Sequence, residues 1–318
     1  GSSAIDMSAR KISSMALIVI ILMIIPITLA EPTAIPSAEY DQGLFGGVSI
    51  DVSNSTNTSA EATMASMPTI AEVFTATWCE NCVPAEEGLM LAIEDSGEET
   101  VVLAFHRAIG EVEDPFGVET AENRWRERYG VSSLNAVGSK AAAPSTVING
   151  ELLHAGSGGL EGESLKPIYA QSLSTPSFFS DYTAISSLAW SSEDTVNGTI
   201  TWSLEAGDWL PESTTSLIFV VEASATFEEG SNGLEDYHDV VRDMIELEGN
   251  QGSMSYALPS AWDGDDLSLV LIHDWQLSEP DCCVDPPEDN GLFGLPSIGL
   301  LWVVVGLAGA AILTGRRD

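Results

Sequence analysis

The chain of 318 residues is poor in bases, with 11 Lys and Arg against 48 Asp and Glu and a formal net charge of -37 at pH 7. Four of those bases, Arg10, Lys11, Arg316 and Arg317, flank terminal apolar segments, so what lies between is more acidic still. Phosphate recognition needs a basic footprint, which excludes nucleic acid as an expected partner. The one basic cluster, Arg124, Arg126 and Arg128, is interleaved with Glu122 and Glu127. A Lys-poor acidic surface suits salty surroundings, where screening relieves its self-repulsion. Cysteine is scarce as well: four in all, as Cys79-Glu80-Asn81-Cys82 and Cys282-Cys283. The two pairs lie too far apart in the chain for finger-like zinc spacing, so no metal is expected.

Long apolar runs are confined to the ends. Arg10 and Lys11 precede the run Met15 to Ala30, which marks residues 1–30 as a signal peptide or signal anchor. Leu295 to Thr314 is long enough to cross a bilayer, and the basic tail 315–318 follows it. The positive-inside rule then puts Arg316 and Arg317 in the cytoplasm and the remainder outside. The expected location is the outer face of the cytoplasmic membrane or the cell surface, on a single C-terminal anchor. Residues 31–67 are rich in Ser, Thr, Ala and Asn, cannot offset the cost of ordering, and are expected to form a flexible stalk. Residues 279–294 form a Pro-, Asp- and Gly-rich linker carrying Cys282 and Cys283.

From Pro68 the pattern is α/β. It predicts a strand over Ile70 to Thr77, a helix after Cys82, a strand over Thr100 to His106 and a helix over Glu119 to Tyr129. A strand over Ser145 to Ile148 follows, then an Asn149-Gly150 turn into Leu152 to Ala155. A last helix spans Glu163 to Leu173, with Pro167 near its first turn. Beyond residue 175 short alternating strands take over: Thr183 to Trp190, Thr195 to Leu204, Ser216 to Ala225, Gly252 to Leu258 and Leu267 to His273. This spacing predicts an all-β, sandwich-like domain over 176–278, with Trp190, Trp202, Trp209, Trp262 and Trp275 filling its core.

A lone C-x-x-C admits half a zinc site, a structural disulfide or a redox pair. Here a β-rich run and Trp78 precede Cys79, and the helix-forming stretch from Pro84 to Met90 follows Cys82. Cys79 is thereby placed at a helix N-terminus, whose partial positive charge and free N–H groups stabilise a thiolate. That thiolate attacks a disulfide, and Cys82 resolves the mixed disulfide.

The unit Phe74 to Cys82, together with Ala143-Pro144-Ser145-Thr146-Val147 ahead of a strand, resembles the thioredoxin superfamily over residues 68–175. The resemblance implies a cis Pro144 beside the cysteines, with Trp78, Ala143 and Pro144 contacting an extended substrate chain. Leu217-Ile218-Phe219-Val220-Val221-Glu222, followed by Tyr237-His238-Asp239-Val240-Val241-Arg242, is similar to the branch named after a 28-kilodalton outer-membrane protein, in which a β-rich domain follows the thioredoxin fold. One departure matters. Thioredoxins keep a buried acid six residues before the first cysteine, and here that position is Val73. Glu72 is adjacent but should face the other side of the strand. His106, at the end of the next strand, is the substitute candidate for proton transfer. Glu80 adds a carboxylate beside the nucleophile, which opposes thiolate formation. Cys282-Cys283 admits a vicinal disulfide, an electron relay to Cys79 and Cys82, pairing with another chain, or a structural remnant. His238, Asp239 and Arg242 have no nucleophile in motif context and read as a structural ion pair.

The expected function is that of a membrane-tethered, extracytoplasmic thiol-disulfide oxidoreductase that calls on no cofactor. Its partners would be protein thiols or disulfides and a membrane or extracytoplasmic redox protein. The alternative is a cell-surface binding or structural module whose Cys79-Cys82 disulfide stays permanently oxidised.

Overall fold

The computed structural model describes residues 33–277, apart from 40, 54, 111, 113 and 195. The expected signal segment 1–30, the Cys282-Cys283 linker, the membrane helix 295–314 and the basic tail lie outside the described residues. Among the described residues no helix is long and apolar enough to cross a membrane. In chain order the strands are β1 Ile35–Pro36, β2 Gln42–Asp51, β3 Asn57–Thr63, β4 Thr69–Thr75, β5 Thr100–His106, β6 Ser145–Ile148 and β7 Leu152–Ala155. They continue with β8 Ala184–Ser192, β9 Asn197–Ala206, β10 Thr215–Thr226, β11 Asp236–Glu246, β12 Gln251–Ala257 and β13 Leu267–Gln276. The helices are α1 Cys82–Ser96, α2 Glu119–Arg128, α3 Gly130–Val137 and α4 Gly162–Leu173.

Strand β4 pairs in parallel with β5 and antiparallel with β6, which pairs antiparallel with β7. The two-residue period of β4 sorts its side chains. Ala71 and Val73 pack with Leu89 of α1 and with Leu165 and Tyr169 of α4. Ile70 and Phe74 pack with Trp125 of α2 on the opposite face. At Gly88 a Cβ would lie 2.8 Å from the Gly162 carbonyl oxygen and from Leu165 Cβ, so α1 and α4 touch only because that position has no side chain. Asn149 and Gly150 have φ of 49° and 66°, the left-handed pair that the tight turn between β6 and β7 demands. Pro167 lies in the second turn of α4 rather than near its first.

Two expectations are corrected by the sheets. Residues 31–67 were expected to be a stalk, but β2 pairs along its length with β13, and β3 pairs with β8. The Ser/Thr-rich composition misled because β2 carries Leu44, Phe45, Val48 and Ile50, all buried. Along β3 exposed positions alternate with half-covered ones, as an edge strand with one wet face requires. The second correction concerns the boundary near residue 175. One nine-stranded sheet runs β1-β7-β6-β4-β5-β11-β10-β13-β2, and β11 joins β5 in parallel at Val240 and Ala104, so the boundary does not divide the sheet.

The sandwich itself is present. Val48, Ile50, Ile218, Val220, Leu269 and Leu271 of the large sheet pack on Leu188, Trp190, Ile200 and Trp202 of the four-stranded sheet β12-β9-β8-β3. Trp275 packs in a neighbouring cluster with Phe45 and Phe179, against which Trp209 is half-buried. Trp262, expected in the core, is 42% exposed and sits over Phe116 instead. Strand β11 was not anticipated. A register shift opposite Val220/Val221 and the left-handed Asp239 (φ 54°) break the alternation by which a strand is read.

A buried charge network stitches the two halves together. Arg124 of α2 bonds the Glu72 carboxylate of β4 and, at 2.8 and 3.0 Å, both oxygens of Asp274 in β13. Tyr129 donates to Glu72, and Arg128 lies 3.5 Å from Asp274. The basic cluster of the sequence is thus consumed internally, and Glu72 faces away from the cysteines as the strand period predicts.

Two imidazoles are buried in neutral form. Burial holds His154, bonded to Ser172, down to about 4, and His273, between Ser186 and Ser216, down to about 3. Folded pKa values below the unfolded value of about 6.5 mean that the unfolded chain binds the extra protons. Stability is therefore complete above about pH 6.5 and falls as pH drops toward 4. Urea midpoints at pH 7 and pH 5 should show this loss, and a His154→Gln, His273→Gln pair should flatten the pH dependence.

Candidate functional site

The cysteines lie where β4 gives way to α1. The segment from Ala76 to Asn81 turns tightly, the Cys79 N–H donating to the Ala76 carbonyl at 3.0 Å and the Cys82 N–H to the Cys79 carbonyl at 3.1 Å. Helix α1 starts at Cys82, so Cys79 stands in the turn ahead of the helix and Cys82 is its first residue. The two form a disulfide; Cys82 is fully buried and Cys79 is 7% exposed. The peptide bond between Ala143 and Pro144 is cis, and Ala143 and Trp78 pack against the pair. Four of the anticipated residues, Cys79, Cys82, Ala143 and Trp78, therefore share one apolar cluster, and Pro144 adjoins it. On this side a groove of about 400 Å³ is lined by Asn81, Ala143, Pro144 and the loop Gly156 to Gly159. The Arg107 guanidinium lies 5.7 Å from the centre of the half-buried Trp78 ring.

The turn is held from both sides at Thr77. Its N–H donates to Asp114 at 2.6 Å, and its carbonyl accepts from Ser231 N–H at 3.0 Å, Asn232 N–H at 3.2 Å and the Tyr237 hydroxyl at 3.3 Å. The donors to the carbonyl come from the β10–β11 connection and the start of β11. The β-rich part of the chain thus braces the cysteine turn directly, which the reading of two successive domains did not foresee.

His106 is buried, with its Nδ1 3.1 Å from Asp114 and its ring edge-on to Phe116 and Tyr237. Burial pushes the Asp114 carboxyl up, but the contacts with His106 and the two backbone N–H donors outweigh it and hold the group below its usual range. Thr75 and His106 are register partners at the ends of β4 and β5, on the face covered by α1.

Glu86 was missed by the sequence reading. It is half-buried on α1, and the Thr75 hydroxyl donates to its carboxylate. Burial raises its pKa, opposed by that hydrogen bond and by the nearby His106 and His238. It borders a second, largely apolar groove of about 840 Å³ between α1, β5 and β11, lined among others by Val83, Val102, Ala104, His238 and Asp239. Burial lifts Asp239 to about 6 despite His238. The signal available in the sequence was helical spacing, since Glu86 follows Cys82 by four residues. Arg242 pairs with Glu222 at 3.4 Å rather than with Asp239, and lies over Phe116 and Trp262. Cys282 and Cys283 lie outside the described residues.

No group of His, Cys, Asp and Glu among the described residues is arranged to hold a metal ion. No family model matches the chain, and no curated protein matches it. Among solved structures, HBP35 of Porphyromonas gingivalis aligns at 19% identity with a TM-score of 0.37, over 66% of this chain and 64% of that one, so the chain spans less than two thirds of its length. A structural-genomics target protein of Agrobacterium tumefaciens aligns at 16% identity with a TM-score of 0.34, over 59% of this chain and 78% of that one. What makes the unit thioredoxin-like is its own construction: parallel β4 and β5, antiparallel β6 and β7, a C-x-x-C disulfide opening α1, and a cis proline ahead of β6.

Proposed function

We propose that the chain is an extracytoplasmic, membrane-tethered thiol-disulfide oxidoreductase. Cys79 is its attacking thiolate, Cys82 its resolving thiol, and Trp78, Ala143 and Pro144 its contact surface for an extended substrate strand. The observation that carries the reading is the packing of Ala143, next to the cis Pro144, against a disulfide at the start of a helix. A helix N-terminus stabilises a thiolate, and the groove lined by Asn81, Ala143 and Pro144 offers a surface for a substrate chain beside the cysteine turn. Its partners are protein thiols or disulfides and a redox protein on the same side of the membrane. The branch with a β-rich domain after the thioredoxin fold supplies the finer family reading, supported by the contacts of the β10–β11 connection with Thr77. The outer-surface location rests on the apolar ends and their flanking bases, and a relay through Cys282 and Cys283 belongs to the same reading.

The second reading, a surface module stapled by a permanent disulfide, draws on one observation: Cys82 is inaccessible and Cys79 is only 7% exposed. Catalysed reduction of insulin disulfides by dithiothreitol separates the two. The oxidoreductase accelerates the reaction and Cys79→Ser does not; equal rates for the two would favour the staple.

A further inference from the structure

We propose that Glu86 accepts the proton of Cys82 when Cys82 resolves the mixed disulfide, so that the acid of this site stands on the helix rather than on the strand. The inference rests on the oxidoreductase reading above. Val73 occupies the strand position that faces α1, and it is apolar and buried. Two residues nearer the cysteines on the same face, Thr75 donates a hydrogen bond to Glu86. Glu86 follows Cys82 by one helical turn and shares its face of α1. Helical side chains lean toward the N-terminus, so the Glu86 carboxylate reaches back toward Cys82. Its border on the groove between α1 and β11 gives water a path to return the proton.

The charged and titratable neighbours come from every packed element. His106 approaches from β5, His238 and Tyr237 from β11 and Tyr169 from α4. Asp239 and Glu87 share the groove, and Asp114 pairs with His106 beyond. The two imidazoles favour the carboxylate, while burial disfavours it.

In the forward step the Cys79 thiolate attacks a substrate disulfide, and the first substrate thiolate leaves and is protonated by solvent. Cys82 then passes its proton to Glu86, and the resulting thiolate attacks Cys79 Sγ. The Cys79-Cys82 bond forms, the second substrate thiolate departs, and Glu86 returns the proton through water. Two electrons have moved from the dithiol to the substrate disulfide.

The test uses the reduced full chain with Cys282→Ser and Cys283→Ser as the reference protein, so that only Cys79 and Cys82 meet 5,5′-dithiobis(2-nitrobenzoate) and its two thiolate releases report attack and resolution separately. In Glu86→Gln the first release should stay within about twofold of the reference, while the second should slow by at least about tenfold at pH 7. Thr75→Val removes a hydrogen bond to the ionised carboxylate, so the pH midpoint of the second release should rise by roughly half a unit to one unit. Unchanged second release in Glu86→Gln, or an unmoved midpoint in Thr75→Val, would overturn the inference while leaving the oxidoreductase intact. A reference protein giving no second release would instead overturn the oxidoreductase reading, and this inference with it.

Discussion

Arg124→Ala is expected to cost the fold about 3–5 kcal/mol, because it leaves Glu72 buried without its cation and Asp274 with only the longer Arg128 contact at 3.5 Å. Domains of ordinary stability have only about 5–15 kcal/mol in hand, so the variant should be largely unfolded or aggregated at 37 °C. The loss has two parts. The lost hydrogen bonds are charge-assisted and bidentate toward Asp274, and the carboxylates that remain must either stay charged in a dry site or take up protons. The network spans β4, α2 and β13, so both the cysteine-bearing unit and the sandwich should lose protection together in hydrogen exchange. A quadruple variant, Glu72→Leu, Arg124→Met, Arg128→Met and Asp274→Leu, removes the charges as a set and should recover most of the loss, since buried ion networks seldom outdo apolar packing. Urea unfolding of the three proteins measures this directly. Independent melting of two domains in Arg124→Ala would contradict the single continuous sheet.

Cys79→Ser should abolish disulfide exchange, whereas Cys82→Ser should keep the attack and lose the release. The asymmetry follows from position. Cys79 stands in the turn ahead of α1 and keeps a small exposed fraction, and Cys82 is the fully buried first residue of the helix. A mixed disulfide formed at Cys79 has no partner to resolve it in Cys82→Ser and should accumulate as a covalent complex on non-reducing gels. Cys79→Ser should trap nothing. If Cys82→Ser also traps nothing while Cys79→Ser reacts, the roles are reversed and the surface near Pro144 is not the substrate side.

Much of the cysteine-bearing unit was legible because its signals are local. The Asn149-Gly150 turn follows from the left-handed backbone those two residues accept, β4 and β5 from their apolar runs, and the face of Glu72 from the two-residue strand period. The cis Pro144 was an expectation from family resemblance and is present. What escaped the sequence is long-range. Nothing near β2 announces a partner more than two hundred positions away in β13, and the polar face of β3 looks like a linker until β8 pairs with it and Ala60 and Ala62 meet the sandwich core. Strand β11 hides behind a bulge, and Glu86 reads as one more surface acid on an acidic chain until Thr75 and His106 are placed beside it. The terminal segments and Cys282-Cys283 stand outside what the structure describes.

The central claim is that Cys79-Cys82 is a working redox pair, and its reduction potential, taken in the full chain against a glutathione series, tests it most directly. The account predicts a reversible couple between about -120 and -270 mV that vanishes in Cys79→Ser and persists in a Cys282→Ser, Cys283→Ser pair. A disulfide that resists reduction below about -300 mV would contradict it and leave a stapled module in its place.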